Sequence, residues 1–354
     1  MNTPFSHPAF DDHERVVFIN DQASGLRALI ALHSTTAGPA SGGVRFWHYQ
    51  SEEEALVDVL RLSQGMSYKT VMAGLPLGGG KSVILADAKR TKTEAMLQAF
   101  GRAVHQLNGS YVAAEDVGIT ADDVAIMRRE TSHVAGLKTG LHASGDPSPM
   151  TASGVLLGLE AAVAHRLQSN LDGLRVGILG LGAVGMQLAA LLHDQGARLI
   201  VADINPARVR EAIERFEAQT FPAEALMEAE MDVFAPCALG GVLSEEKVGK
   251  LTAKVVAGAA NNQLANNDVG KMLLDRGTLY APDYVINAGG IINVAGEIAK
   301  RYDQEQVKVA LKEIPTTLGK IFAESETSGL ATNLVADRIA KQRLVALHAE
   351  TRAA

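Results

Sequence analysis

Two lysines, Lys69 and Lys81, lie twelve residues apart in sequence that is otherwise small or apolar. Three glycines, Gly78–Gly80, directly precede Lys81 and suit a backbone that turns sharply and lies close to a ligand. Two ammonium groups held near each other lower one another's proton affinity, which could bring the pKa of one lysine toward that of a working base. A P-loop is excluded, because its first glycine would stand where the sequence has Leu75. We interpret the pair as candidate groups for proton transfer; solvated surface charges are the alternative.

Two carboxylates, Glu115 and Asp116, follow the apolar run Tyr111–Ala114. An acid at the end of a strand is commonly a cap or a turn former. It can also exchange a proton with a substrate or a nearby lysine. Both interpretations stay open on the residues alone.

A glycine motif in the second half of the chain predicts a dinucleotide site. Gly180-Leu181-Gly182-Ala183-Val184-Gly185 follows the predicted strand Val176–Leu179 and opens a helix. The glycines allow a tight turn and close approach of the backbone to a pyrophosphate at the helix N-terminus. Asp203 ends the next strand, where it can accept hydrogen bonds from ribose hydroxyls and would repel a 2'-phosphate. NAD is therefore predicted over NADP, although Arg208 and Arg210 keep NADP open.

The elements that would hold these groups differ between the two halves of the chain. In the first half the sequence predicts strands at Arg15–Ile19 and Leu26–His33, followed by a turn-rich stretch from Ala37 to Gly43. A helix is predicted from an N-cap at Ser51 to about Gln64, and Glu54 completes its capping box. A second helix, from about Thr93 to Leu107, is flanked by apolar runs at Ser82–Ala86 and Tyr111–Ala114. In the second half it predicts short strands at Arg175–Leu179, Arg198–Ala202, Asp232–Ala235, Val255–Gly258 and Leu279–Pro282, separated by helices. That alternation indicates a parallel, doubly wound sheet.

The segment Ser144–Pro149 is the predicted crossing between domains, because its two prolines and one glycine resist regular structure. We predict a first domain over 1–145, joined by C-terminal helices over about 325–354, and a second domain over 146–324. The tail beyond Asn293 is predicted to be helical, with a break at Gly329.

Composition limits the class of protein. The 354 residues, 47% of them hydrophobic, can bury more than one domain core, and a net charge of −7 argues against a nucleic-acid surface. No stretch has the apolar length of a membrane span, and the N-terminal residues lack the pattern of a secretory signal. The single cysteine, Cys237, excludes an internal disulfide framework and a cysteine-rich metal site. We expect a cytoplasmic protein that needs no metal ion.

Seven stretches then follow one another in order between about residues 25 and 295: Gly38–Arg45, Met66–Lys69, Gly78–Lys81, Ala114–Gly118, Gly145–Ala152, Gly258–Gln263 and Tyr280–Gly290. With these stretches the chain resembles the glutamate/leucine/phenylalanine/valine dehydrogenase superfamily, most closely its leucine and phenylalanine dehydrogenase branch. The resemblance implies an α/β protein with two domains: an N-terminal substrate and oligomerisation domain, and a Rossmann-like NAD-binding domain, with an active-site cleft between them. It also implies a homo-oligomer, either a dimer or an octamer. Asp146 stands where the family usually has Asn, in a segment (Asp146 to Thr151) that we expect to act as a hinge.

The resemblance implies catalytic roles for the residues that matched it. Lys69 would bind the substrate α-carboxylate, assisted by Asn262. Lys81 would act on the water that adds to or leaves the imino carbon, and Asp116 would move protons to and from the amino group. Thr151 and Asn261 would lie near the nicotinamide amide. The remaining cofactor residues would be Gly180, Gly182, Ala183, Val184, Gly185, Asp203, Ile204, Cys237 and Ala238. Cys237 is expected to pack or make a backbone contact and not to act as a nucleophile, because no histidine partner is apparent.

The predicted side-chain pocket is formed by Ser41, Gly42, Ala114, Ile291 and Val294, none of which is charged. A glutamate side chain would need a cationic or strongly polar partner there. Leucine, valine and isoleucine are therefore the favoured substrates. Ser41 stands where leucine enzymes usually have Leu, and this smaller residue keeps phenylalanine, and less so tryptophan, as alternatives. Ile291 favours the smaller substrates by adding a methylene.

Two other classes of function fit the residues less well. A silent NAD-binding regulator would lack the lysines or the acid, but Lys69, Lys81 and Asp116 are all present. A hydroxy-acid dehydrogenase would need a histidine and an arginine in place of the lysine pair. The ten histidines fall in no recognisable catalytic or metal motif.

Overall fold

The chain folds into two units, shown by a computed structural model that describes residues 4–85, 92–238 and 240–353. The first unit comprises Met1–Asp146, Asn293–Asp303 and Ala340–Ala354, and the second comprises Pro147–Ile292 and Gln304–Ile339. The sequence instead assigns 325–354 to the first domain and 293–303 to the second. Residues 325–339 belong to the second unit because, for example, Thr332 Oγ1 donates to the Tyr280 carbonyl at 2.7 Å. Ala354 lies outside the described residues.

The described part of the first unit holds a five-stranded mixed sheet in the order β1-β2-β4-β3-β5. Its strands are β1 (Arg15–Asp21), β2 (Leu26–Ser34), β3 (Ala40–Trp47), β4 (Gly78–Leu85) and β5 (Tyr111–Glu115), and its helices include α1 (Glu52–Met72), α2 (Glu94–Gln106) and α3 (Ala121–Met127). Strands β1, β2 and β4 pair antiparallel, whereas β3 pairs parallel with both β4 and β5.

The two faces of this sheet are covered by different helices. Ile30, Leu32, Val44 and Tyr111 lie in one apolar core with Phe100 of α2. Leu29, Ala31 and Val83 lie in another core, with Val59 and Leu60 of α1. Side chains alternate between faces along a strand. Lys81, which pairs with Ala31 across β2 and β4, therefore lies on the α1 face.

Strand β3 occupies the stretch that the sequence predicts to be turn-rich, from Ala37 to Gly43, so that prediction is wrong from Ala40 onward. The signal was hidden by Gly42 and Gly43, which have low strand propensity. A Cβ at Gly42 would overlap the Gly80 carbonyl oxygen, and a Cβ at Gly43 would lie 2.6 Å from the Glu115 carbonyl oxygen. The glycines are there because neighbouring strands approach too closely for side chains.

Helix α1 runs to Met72 and not to about Gln64 as predicted. Its N-terminus is as predicted at Ser51, whose hydroxyl accepts from Glu54 N at 3.1 Å, but the Glu54 carboxylate accepts from Gln50 N and so extends the cap by one residue. Gly65 does not end the helix, because the following turns bury Ser67, Tyr68, Val71 and Met72. The same glycine-rich packing starts β4 at Gly78, four residues before the predicted strand; Ala86, its predicted end, lies outside the described residues.

The second unit contains a parallel sheet in the order β11-β10-β9-β6-β7-β8. Its strands are β6 (Arg175–Leu179), β7 (Arg198–Ala202), β8 (Gln219–Thr220), β9 (Val233–Pro236), β10 (Val255–Val256) and β11 (Leu279–Tyr280). All five pairings are parallel, and the strand order read from β8 is that of the doubly wound dinucleotide-binding fold. The predicted doubly wound sheet is confirmed; β8, two exposed residues long, was not predicted.

The helices from residue 148 onward are α4 (Ser148–Leu167), α5 (Ala183–Asp194), α6 (Pro206–Phe216), α7 (Glu245–Lys250), α8 (Asn267–Asp275), α9 (Asp283–Ile286), α10 (Gly289–Ile298), α11 (Gln304–Leu311), α12 (Glu313–Ser328) and α13 (Thr332–Ala353). The predicted break at Gly329 is confirmed, because this residue caps α12 with a φ of 68°. Among the described residues, no helix has the length and apolar character that crossing a bilayer requires.

Candidate active site

The first unit joins two of the predicted catalytic groups directly. Lys81 Nζ lies 2.7 Å from Asp116 Oδ2. Asp116 comes directly after β5, and Lys81 lies within β4, so the parallel packing of β4, β3 and β5 brings together residues that are distant in sequence. Lys81 is 6% exposed, which makes the ion pair a buried one on the lysine side. The charged partner of Lys81 in the structure is thus a carboxylate, whereas the sequence analysis considered a second lysine, Lys69, as its neighbour.

A third charged group, Arg45, binds the same carboxylate from β3. Its Nε lies 3.2 Å from Asp116 Oδ2, and its Nη1 lies 2.9 Å from Asp58 Oδ2 on α1. Tyr49 also donates its hydroxyl to Asp58 Oδ2 at 2.6 Å. Because a guanidinium is planar and has several donors, it can hold two carboxylates in fixed positions at once. Arg45 therefore connects Asp116 to helix α1.

These two cations determine the charge of Asp116. Burial disfavours the ionised form of this carboxylate, but the Lys81 ammonium and the Arg45 guanidinium outweigh burial and hold the pKa of Asp116 below its ordinary value. The pKa of the neighbouring Glu115 is raised, by burial and by the charge of Asp146. Of the two acids that follow β5, Asp116 is therefore the one held as a carboxylate beside a proton donor.

Lys69 lies in the last turn of α1 and is half-buried. Helix α1 packs against β4 so closely near this residue that a Cβ at Gly79 would overlap Ser67 N. Gly79 is two residues before Lys81, and Ser67 is two residues before Lys69. The two predicted lysines thus belong to elements in direct backbone contact.

The predicted pocket residues of the first unit lie on the same sheet as Lys81. Ser41 of β3 pairs with Gly79 of β4 and Val112 of β5, and Gly43 pairs with Ala114. Ser41 is 1% exposed, and its hydroxyl has no hydrogen-bond partner among the described residues. Gly42, between them, cannot carry a side chain because of the Gly80 carbonyl. Alternation along paired strands therefore puts Ser41 and Ala114 on the Lys81 face.

Val294, on α10, joins this group through β5. It packs in a small apolar cluster with Val112 and Ala135, and Ile298 lies against that cluster. Val112 is the strand neighbour of Ser41. Four of the five predicted pocket residues, all except Ile291, are therefore found in the first unit, and Ile291 is half-buried in the second.

In the second unit, the glycine motif forms the turn from β6 into α5. Gly180 has a φ of 98°, which favours glycine, and a Cβ there would lie 2.8 Å from Ala238 N. A Cβ at Gly185 would overlap the Gly180 carbonyl oxygen. Gly182 is the N-cap of α5, provides no side-chain hydrogen bond and faces open space, so the first amides of the helix, from Ala183 and Val184 onward, are available to an anion.

Asp203, at the end of β7, is bound to the same turn. Its Oδ2 accepts from Leu181 N at 2.6 Å and its Oδ1 accepts from Asn205 N at 2.7 Å. Arg208 Nη1 lies 4.0 Å from Asp203 Oδ2, and only 5% of the Asp203 side chain is exposed. The next residue, Ile204, is 95% exposed. Asp203 thus fixes the glycine turn and leaves an apolar side chain open beside it.

The other predicted cofactor residues follow the neighbouring strands of the same sheet. Cys237 and Ala238 come after β9, and a Cβ at Gly185 would lie 3.3 Å from Cys237 Cβ. Burial raises the pKa of the Cys237 thiol to about 11, which is unfavourable for a nucleophile. Asn261 and Asn262 come after β10 and are both exposed; Asn262 has a φ of 50°. Ligands of such sheets bind at the carboxyl ends of the strands, where all these residues lie.

Thr151 lies in the first turn of α4, and its hydroxyl donates to the Pro147 carbonyl at 3.0 Å. A Cβ at Gly290, in the first turn of α10, would lie 3.0 Å from Thr151 Oγ1. The hydroxyl oxygen can still accept a hydrogen bond. Thr151 is thus held in place beside Gly290 and Ile291.

Several supporting residues were missed by the sequence interpretation. Arg45 and Asp58 hold Asp116, and Asn287 donates to Asn261 Oδ1 at 2.7 Å. Arg45 lies within the stretch Gly38–Arg45 that carried the family resemblance, yet it received no role. Its alternation with Ser41 and Gly43 could have placed it on the face of Lys81, had β3 been recognised as a strand.

Comparison with known proteins identifies the family. The family model described as Glu/Leu/Phe/Val dehydrogenase, dimerisation domain, matches residues 13–133, and the Glutamate/Leucine/Phenylalanine/Valine dehydrogenase model matches residues 201–351. Leucine dehydrogenase of Geobacillus stearothermophilus is 47% identical over 94% of this chain and 91% of its own length. Valine dehydrogenase of Streptomyces virginiae is 47% identical over 94% of both chains.

Among solved structures, L-tryptophan dehydrogenase from Nostoc punctiforme superposes with a TM-score of 0.84 at 43% identity, covering 95% of this chain and 97% of that one. The two family models together match more than half of the chain, and the relatives cover nearly all of it. The resemblance inferred from the sequence is therefore confirmed: the chain belongs to the glutamate/leucine/phenylalanine/valine dehydrogenase family of amino-acid dehydrogenases.

Proposed function

We propose that the protein catalyses the reversible NAD-dependent oxidative deamination of a branched aliphatic L-amino acid, with leucine, valine and isoleucine as its substrates. The overall reaction converts the amino acid, NAD⁺ and water to the 2-oxo acid, ammonium, NADH and a proton. The observation that carries the proposal is the Lys81–Asp116 pair at 2.7 Å, on the same sheet face as small or apolar pocket residues. The leucine and valine dehydrogenases at 47% identity support this substrate class.

The polar groups of the proposed site have separate tasks in this reaction. The Lys69 ammonium pairs with the substrate α-carboxylate, with Asn262 as a second donor. The ionised Asp116 accepts a proton from the substrate ammonium and later returns one to the departing amine. The Lys81 ammonium first releases its proton, which is the proton that the overall reaction sets free. The neutral amine then takes a proton from the water that adds to the imino carbon, and the ammonium so formed stabilises the developing negative charge on the oxygen. Arg45 keeps Asp116 ionised and directed toward Lys81.

The second unit has features that fit a dinucleotide. The tight Gly180 turn and the uncapped first turn of α5 provide backbone amides for a pyrophosphate. Asp203 offers a carboxylate for ribose hydroxyls, and the exposed Ile204 offers an apolar contact for the adenine. A dinucleotide bound there would supply the acceptor for the hydride that leaves the substrate Cα. Thr151 and Asn261 would hold its nicotinamide amide, and Cys237 and Ala238 would contact its adenosine ribose. Because Asp203 would repel a 2'-phosphate, we propose NAD over NADP.

A second candidate is an aromatic amino-acid dehydrogenase. Ser41 is small, and its buried hydroxyl has no hydrogen-bond partner among the described residues. That hydroxyl could accept a hydrogen bond from an indole N–H, which no aliphatic substrate provides. The superposition on a tryptophan dehydrogenase, with a TM-score of 0.84 at 43% identity, supports this candidate.

We also propose that the protein is a cytoplasmic homo-oligomer. The dimerisation-domain model covers residues 13–133, which include the edge strand β1. Phe18 on this strand is 61% exposed, and an exposed apolar side chain on an unpaired edge suits pairing with a second copy of the chain. Light scattering of the purified protein would test this proposal, because a monomer would contradict it.

The substrate proposal predicts the ranking of initial rates. NADH absorbance is followed with L-leucine, L-valine, L-isoleucine, L-phenylalanine, L-tryptophan and L-glutamate, each with NAD and with NADP. We expect the highest kcat/KM with an aliphatic substrate and NAD, and a kcat/KM at least about tenfold lower with the aromatic substrates. A difference of this size is typical when a side chain differs from the pocket by a few methylenes. A preference for tryptophan or phenylalanine would support the second candidate, and no reduction of NAD or NADP with any substrate would refute both.

Lys81→Ala should abolish turnover, whereas substitution of the exposed Lys138 by alanine should not.

A further inference from the structure

A buried carboxylate on α10 binds four neutral donors in the first unit. Glu297 is 9% exposed, and its Oε2 accepts from Gly136 N at 3.1 Å, Ser144 N at 3.0 Å and Ser144 Oγ at 2.6 Å. Its Oε1 accepts from Leu137 N at 3.2 Å. Burying a carboxylate is unfavourable unless its oxygens are hydrogen-bonded, as they are here. We call these four residues the Glu297 network.

The Glu297 network closes a loop. Gly136 and Leu137 stand at one end of residues 136–144 and Ser144 stands at the other, so a single carboxylate joins both ends. Between them residues 138–141 are exposed, with Leu141 at 91%. A second set of hydrogen bonds holds the end of the loop at Ser144. Asn293 Nδ2 donates to the Ser144 carbonyl at 3.2 Å, and the Tyr302 hydroxyl donates to Asn293 Oδ1 at 2.9 Å. The NH, the hydroxyl and the carbonyl of Ser144 are all held by, or through, residues 293–302.

The same stretch of helix carries Val294 on the neighbouring turn. Residues three and four apart lie on one side of a helix, so Val294, Glu297 and Ile298 share a face. Val294 packs against Val112 and Ala135, and Ala135 directly precedes the bonded amide of Gly136. Val112 lies on β5, the strand that leads to Asp116. The Glu297 network therefore fixes the position of Val294 relative to the strand that carries the catalytic acid.

We propose that Glu297 is a positioning residue for substrate selection: its hydrogen bonds hold Val294 against β5 as one wall of the pocket for the amino-acid side chain. This proposal rests on the proposed function, which assigns Val294 to that pocket. A wall held by four hydrogen bonds fits the stem of a branched side chain closely. When those bonds are absent, the wall moves and contact with the substrate side chain is lost, while the Lys81–Asp116 pair stays in place.

The experiment compares Glu297→Gln and Glu297→Leu with wild-type and with the exposed control Glu53→Gln. A glutamine oxygen can take the place of Oε2 and keep three bonds, but its amide would face the donor of Leu137. Leucine keeps the volume and removes all four acceptor contacts. We expect Glu297→Leu to raise the KM for the aliphatic substrate at least about tenfold and to narrow the preference for leucine over phenylalanine, with little change in the KM for NAD. Glu297→Gln should fall between Glu297→Leu and wild-type.

Hydrogen exchange of the peptide over 134–146 gives a readout independent of catalysis. We expect faster exchange of this peptide in Glu297→Leu and no change in Glu53→Gln. If a folded Glu297→Leu keeps the wild-type amino-acid KM and substrate preference, the proposal is overturned, even if its thermal stability falls. Should Glu297→Leu not fold, Ser144→Ala removes the 2.6 Å contact alone and must raise the same KM several-fold. If the wild-type protein acts on no amino acid, the proposed function fails. Unchanged hydrogen exchange of this peptide in Glu297→Leu would separately refute the role of the Glu297 network in holding the loop.

Discussion

At the scale of single residues, the candidate site is organised around a carboxylate between two cations. Lys81 and Asp116 could be selected from the sequence, because each stands in an unusual local setting: three glycines before one, and a strand end before the other. Arg45 could not be selected in that way. It is 71 residues from Asp116 and 13 from Asp58, and only the pairing of β3 with β5 and its contact with α1 reveal both partners. The sequence therefore indicates which residue types are candidates for proton transfer, but not which side chains hold them in position.

The role of Asp116 leads to a kinetic prediction. Asp116→Asn removes the proton acceptor while keeping nearly the same shape, and it leaves Lys81 and Arg45 without their shared carboxylate. We expect kcat for oxidative deamination to fall by about 10²- to 10⁴-fold, the usual contribution of a positioned acid or base. NAD binding, measured by calorimetry, should stay near that of wild-type. The matched control is Asp122→Asn, because the Asp122 side chain is 80% exposed and pairs with Lys138 at the surface. Near-normal turnover of Asp116→Asn would remove Asp116 from the mechanism.

At the scale of elements, the predictions succeeded where local signals were strong. The parallel strands β6 and β7 were predicted with their observed ends, because short apolar runs bounded by glycine or charged residues have few alternatives. The errors cluster around glycine in the first unit: β3 was taken for a turn, β4 began four residues early, and α1 continued through Gly65. In each case tertiary contact overrides local propensity. A glycine can mark a turn or a close approach of two elements, and the sequence alone does not distinguish these.

The contact between α1 and β4 can be tested by substituting two glycines, one inside the contact and one outside it. A Cβ at Gly79 would overlap Ser67 N, a backbone atom that can move only if the helix moves. We expect Gly79→Ala to lower the free energy of unfolding by about 1–3 kcal/mol and to reduce activity, because α1 carries Lys69. Gly65 lies inside α1, and a Cβ at this residue would meet nothing within 4 Å, so Gly65→Ala should raise the free energy of unfolding by up to about 1 kcal/mol. Urea unfolding measures both. Equal effects of the two substitutions would contradict this account of the packing.

At the scale of the whole molecule, stability depends on polar groups that no sequence motif marks. His13 is 6% exposed beneath α1, where its Nδ1 accepts from Asp11 N at 3.2 Å and its Nε2 lies 3.0 Å from the Leu60 carbonyl oxygen. Its ring meets the His33 ring at a centroid distance of 4.9 Å, and His33 Nδ1 lies 2.8 Å from Ser67 Oγ. Neither histidine was assigned a role from the sequence. Both belong to the packing that supports the helix of Lys69.

This cluster predicts acid sensitivity. Burial lowers the pKa of His13 to about 4, and the proximity of His33 adds to the effect, whereas the Leu60 carbonyl and the carboxylates of Asp11 and Asp12 act against it. At pH values between about 6.5 and about 4, His13 is therefore protonated in the unfolded chain but neutral in the folded one. The free energy of unfolding falls as the pH drops through this range. Between pH 7 and pH 5 we expect His13 to account for a loss of about 1–2 kcal/mol in the free energy of unfolding. His13→Gln keeps a donor and an acceptor but cannot titrate, and it should reduce this loss in urea unfolding measured at both pH values. The exposed His105→Gln serves as the control, and an unchanged pH dependence in His13→Gln would show that the acid sensitivity arises elsewhere.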